Sequence, residues 1–158
     1  MYRLFVPTQA AGANTVHFDL FNNAGTQFYL EVLQVLPIVS GAAAVVGAVA
    51  VDVYLTRTTA IGTGGTAATY EGTSLTATTF THMDGSQSLN PGITARLTPT
   101  GGATAGAVIT FRSIFTEETN SAAYTPVAEM VRSGNIDQPG LIVVNGSGIR
   151  VVQGSVAS

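Results

Sequence analysis

Three observations predict an all-β fold, an antiparallel β-sandwich of jelly-roll type with about eight strands. Ala, Gly, Thr and Val supply 79 of the 158 residues, the composition of closely stacked strands joined by tight turns. The longest apolar run, AAAVVGAVAVDVYLTR at Ala42 to Arg57, alternates, with Val49, Val51, Val53 and Leu55 on one side and Ala48, Ala50, Asp52 and Tyr54 on the other. Turn signals recur at short intervals with no βαβ alternation, which leaves sandwich, jelly roll or small barrel. The central run is too short, and too soon interrupted by Asp52 and Arg57, to span a bilayer as a helix. Its valines and Gly47 disfavour a helix altogether, so it reads as a long buried strand.

Taken in order, the chain divides into residues 1–14, an N-terminal arm or edge strand with a hinge, and residues 15–158, a single β-sandwich domain. Tyr2, Leu4, Phe5 and Val6 precede the small-residue hinge at Thr8 to Asn14; the segment is either the first edge strand or an arm that packs on a neighbour. Thr15 to Phe21 alternates with Val16, Phe18 and Leu20 inward and His17 and Asp19 outward. Asn22 to Gly25 supplies a turn, and Gln27 to Leu36 is expected to return as the second arm of a hairpin, closed by Pro37. A Gly-rich connection at Thr58 to Thr66 leads into a threonine-rich alternation, and His82 to Gly92 carries the Asp-Gly and Asn-Pro-Gly signals of an exposed loop.

Ile93 to Thr98 and Ala107 to Thr116 are further strands, the second with Ile109, Phe111 and Phe115 as core candidates. Thr125 to Ser133 has a helix signature, Pro126 at the start and Gly134 after the end. Leu141 to Asn145 and Ile149 to Gln153 form a final hairpin around Gly146-Ser147-Gly148.

Charge and cysteine content narrow the function. All six basic residues are scattered arginines and the net charge is −3, so no surface gathers the cations that nucleic acid requires. Without cysteine there is no disulfide framework, thiol nucleophile or Cys-ligated zinc. The first residues lack a signal-type apolar stretch, so synthesis in a cytoplasm is expected, with no membrane partner. With only 9% charged residues, part of the surface is expected to be hidden against other subunits.

No constellation calls for catalysis. The Gly-rich tracts lack the lysine of a phosphate loop, since the chain has none, and read as plain strand connections. His17-Phe18-Asp19 and His82-Met83-Asp84 repeat His-x-Asp and could hold a divalent ion if adjacent in space; the simpler reading is two unrelated polar segments. Glu117-Glu118 reads as a solvated loop start, and Ser147 lacks the turn of a hydrolase nucleophile. The expectation is a chain that is not an enzyme, with no catalytic residue, no cofactor and no metal site.

TRTTAIGTGGTAATYEG at Thr56 to Gly72, GITARLTPTGGATAGAVITFRSIFTEETN at Gly92 to Asn120 and GIRVVQGSVAS at Gly148 to Ser158 together resemble small β-sandwich virion proteins of tailed bacteriophages. That resemblance implies a capsid decoration or cement protein, a homotrimer on the outer surface of the virion shell, whose partners are the major capsid protein and itself. It also implies one more strand after GIRVVQGSVAS, supplied by further sequence or by a neighbour. Tyr2, Arg3 and Phe5 are the expected protein contacts, with Asp84 to Asn90 displayed outward. The alternative is a phage tail or receptor-binding module that takes a glycan on Tyr70 with Glu71 or Tyr124 with Asn120. A hydrolase on a jelly-roll scaffold would need the two histidines and two aspartates to converge.

Overall fold

The computed structural model describes residues 1–7, 9, 12–36, 49–70, 79–83, 89–101, 105–116, 130–132 and 140–155. In chain order the strands are β1 (Tyr2–Phe5), β2 (Val16–Asn22), β3 (Leu30–Val32), β4 (Gln34–Val35), β5 (Val49–Thr58), β6 (Thr66–Ala67), β7 (Thr69–Tyr70), β8 (Thr79–His82), β9 (Ile93–Leu97), β10 (Ala105–Thr116), β11 (Val131–Arg132), β12 (Leu141–Val143) and β13 (Ser147–Gln153). The chain is all-β. No helix occurs among the described residues, so none there is long and apolar enough to cross a membrane.

The main layer is a six-stranded antiparallel sheet in the order β10-β5-β13-β2-β9-β6. Registers such as Val151 opposite Leu55 and Leu20 opposite Ala95 place Val53, Leu55, Val151, Ile149, Leu20 and Ala95 on one side of it. Over that side lie smaller sheets, β1-β8-β7, β11-β4 and β12-β3, which bring Phe80, Val35 and Val143 into the same core, with Met130 beside them. Leu55 and Val143 are fully buried. Each such side chain stabilises the fold by roughly 1.5–3 kcal/mol of transfer free energy, which is what joins the two layers.

The run expected as a buried strand is β5, flanked on both sides by β10 and β13, with Val53 and Leu55 in the core; its first residues, 42–48, lie outside the described ones. Elsewhere the pairing differs from the sequence reading. Residues 27–36 do not return along β2: they break at Leu33 into β3 and β4, which pair with β12 and β11. Likewise β12 and β13 are not a hairpin with each other, because the turn at Gly146 (φ 76°) sends β12 to one layer and β13 to the other. The C-terminal part of the expected helix is strand at Val131–Arg132, while residues 125–129 and 133 lie outside the described ones. Which strands a turn joins depends on distant segments that alternation cannot reveal.

Candidate interaction surfaces

β1 lies at the edge of its sheet, antiparallel to β8, with Tyr2 opposite His82, Arg3 opposite Thr81 and Phe5 opposite Thr79. Alternation divides the three expected contact residues. Tyr2 shares a side with Leu4, Phe80 and His82, and its ring meets the buried His82 edge-on at 4.6 Å and Tyr70 at 6.3 Å. It is largely a lid over the core edge. Arg3 and Phe5 project to the opposite side, and the Met83 amide donates to the Met1 carbonyl at 3.0 Å, extending the pairing by one step. Met1, Phe5 and Met83 are all exposed there around Arg3, which has no hydrogen bond or ion pair among the described residues.

A second apolar surface forms where β3 meets β12. Leu30, Val32, Leu141 and Val143 pack inward, so Glu31 and Ile142, directly opposite each other, face out. Tyr29 and Val144 extend that outward side at 67% and 56% exposure, and Phe28 is exposed beside them. The Arg57 guanidinium donates to the Ile142 carbonyl at 2.7 Å and the Gly140 amide to Glu31 Oε1 at 3.2 Å, which tie the ribbon down. The shared parity of Tyr29 and Glu31 was visible in the sequence. Their pairing with Ile142 was not.

The other side of the main sheet carries a polar row. Thr56, Arg150, Asp19 and Arg96 stand in register across β5, β13, β2 and β9. Asp19, expected outward, is buried, with Gly62 of the first glycine connection directly against its carboxylate; Arg150 and Thr56 are buried as well. The Arg96 amide donates to Asp19 Oδ1 at 3.0 Å, and its guanidinium donates to the Gly64 carbonyl at 2.9 Å. Burial pushes the Asp19 carboxyl above its ordinary pKa; the amides of Gly62 and Arg96 and the charges of Arg150 and Arg96 act against that.

The two glycine tracts meet each other. The Thr63 amide donates to the Gly101 carbonyl at 2.8 Å and the Thr100 amide to the Thr63 carbonyl at 3.0 Å, while Gly64 (φ 68°) and Gly65 (φ 61°) turn the backbone as only glycine does cheaply. Their amides thus serve the lid over Asp19.

Of the histidines and aspartates in the two His-x-Asp tripeptides, the structure describes His17, Asp19 and His82. His17 sits at a bulge in β2 with Nε2 at 3.3 Å from Gln153 Oε1, which also accepts the Gly12 amide at 3.0 Å. Burial lowers the His17 pKa, and the Gln153 contact raises it in part. His82 lies in another sheet beneath Tyr2. Among the described residues no three histidines or carboxylates gather as metal ligands. Ser147 Oγ donates to the Val144 carbonyl at 2.8 Å, a turn contact. Asp84, Glu71, Glu117, Glu118, Asn120 and Tyr124, and the loop 84–88, lie outside the described residues.

One cleft of about 330 Å³ opens beside Tyr70, between Ile61, Phe80, Asn90, Thr94 and Arg96. Comparison of the chain with protein-family models, with curated proteins and with solved structures found no match.

Proposed function

We propose that the protein is a virion structural protein, a decoration or cement protein that binds across capsid subunits of a tailed bacteriophage head as a trimer, on a β-sandwich of jelly-roll type. The observation that carries this reading is the distribution of exposed apolar side chains. Met1, Phe5 and Met83 surround Arg3 on one outward face, and Tyr29, Ile142 and Val144 surround Glu31 on another. Surfaces of this kind on a chain with 9% charged residues are suited to cover by other subunits. The sequence resemblance to phage virion proteins supplies the kind of neighbour. Cementing is a binding function, and it draws on buried area, hydrogen bonds and strand edges rather than on a reacting group.

The test is the copy number of this chain relative to the major capsid protein in purified particles of its source, by quantitative mass spectrometry. A stoichiometry comparable with the shell lattice supports cementing. A handful of copies per particle moves the protein to a tail or vertex. That second reading draws on the cleft beside Tyr70, where an aromatic ring, Asn90 and Arg96 are the side chains a sugar ring would use. A glycan array with the purified chain tests it.

A further inference from the structure

We propose that the outward face of β1 and β8 docks onto the outward face of β3 and β12 in a second copy of this chain, with Arg3 paired to Glu31 of the partner subunit. The inference rests on the oligomeric part of the function proposed above and specifies its interface. Each face is an apolar patch with one charge in it, and the signs are opposite: Met1, Phe5 and Met83 around Arg3, and Tyr29, Ile142 and Val144 around Glu31. Charge complementarity inside an apolar surround selects the partner, because two like patches would set arginine against arginine or glutamate against glutamate.

Four other arginines are engaged or enclosed within the chain. Arg57 holds the Ile142 carbonyl, Arg96 the Gly64 carbonyl, Arg112 its own strand at the Phe111 carbonyl, and Arg150 is buried. Arg3, exposed and with no partner among the described residues, is available to a neighbour. Glu31 accepts one amide, from Gly140, through Oε1, which leaves Oε2 for a guanidinium.

Set head to tail, the Arg3 face of each copy on the Glu31 face of the next, such contacts are heterologous, and a ring closes when the rotation per copy divides the circle. A trimer is the smallest such ring beyond a dimer. Both patches are then covered in every copy, as a largely uncharged surface requires.

Sedimentation velocity of the purified chain over a range of concentrations, for the wild type, Arg3→Glu, Glu31→Arg and the double reversal, tests this. The wild type is expected to sediment as a closed oligomer, each single reversal to weaken association roughly tenfold or more, and the double reversal to restore it. Both positions of the cycle, Arg3 and Glu31, are exposed, and circular dichroism with thermal unfolding verifies that each variant is folded. A wild-type monomer at every concentration, or single reversals that associate as the wild type does, overturns the interface. Binding of the same proteins to shells stripped of this chain separates the two proposals: an intact oligomer that fails to bind defeats cementing alone, and a monomer that binds defeats the interface alone.

Discussion

Arg150 of β13 stands directly opposite Asp19 of β2, and both are buried, with the glycine lid lying on Asp19. The carboxylate lies between two cations, Arg150 on one neighbouring strand and Arg96 on the other, and its Oδ1 also holds the Arg96 amide. A buried pair adds little to stability when compared with apolar residues of the same volume, yet removal of one member leaves the other uncompensated. Asp19→Ala is therefore expected to cost about 3–5 kcal/mol. Asp19→Asn, which keeps an oxygen for the Arg96 amide, is expected to cost less. Urea midpoints for the three proteins at neutral pH check the order; equal midpoints would mean that the row is idle.

Asp19 and His17 give stability opposite dependences on pH. Burial raises the Asp19 pKa above 3.8, so the folded protein holds that proton more tightly than the unfolded chain. The associated stability is present below 3.8 and is lost as pH rises through the folded value. Burial lowers the His17 pKa below 6.5, so the folded protein binds that proton less tightly, and stability present above 6.5 is lost as pH falls through the folded value. Replacement of His17 by Gln is expected to flatten the loss between pH 7 and the folded His17 pKa while leaving the acidic branch intact, and Asp19→Asn to do the reverse. Thermal unfolding at closely spaced pH values for both variants measures the two windows separately.

Gly62 is where the lid touches the row. A Cβ at this position would collide with the Asp19 carboxylate and lie 2.9 Å from Pro99 Cβ, so the loop must lift or the carboxylate must move. Gly146 offers the contrast: its φ of 76° strains an alanine, but nothing lies within 4 Å of the added carbon. Gly62→Ala is expected to destabilise by about 2–3 kcal/mol and Gly146→Ala by about 1 kcal/mol. A Gly62→Ala protein as stable as the wild type would show that the lid does not press on Asp19.

Asp19 also shows how far a single sequence can be read. The alternation of Val16 to Phe21 correctly put Leu20 in the core, but the rule that charge faces water failed for Asp19, because Gly62 of the loop at residues 59–65 lies on its carboxylate. The signal for that cover was the glycine tract itself, read as a plain connection when its compactness was what allowed it to lie on a carboxylate. The apolar surfaces were half legible. Arg3 and Phe5 could be named from an aromatic N-terminal segment, whereas Met83, Ile142 and Val144 become neighbours of charge only through pairings between strands remote in sequence.

Phe111 is the same lesson with the opposite sign. It was expected in the core with Ile109, yet it is 55% exposed and stacks on Tyr54 at 5.8 Å. Register shifts between Ala105 and Val108 and between Val108 and Thr110 break the simple alternation of β10 before Phe111 is reached. From Thr110 to Thr116 the strand runs in regular register beside β5, and Phe111 takes the side of Tyr54 and away from Val53 and Leu55. Phe111→Ser is therefore expected to cost under about 1 kcal/mol, the scale of one exposed aromatic pair. Leu55→Ala, at a fully buried position one strand away, is expected to cost about 2–5 kcal/mol. Denaturant unfolding of the two variants side by side decides it, and a Phe111→Ser loss as large as that of Leu55→Ala would place Phe111 in a packed interior after all.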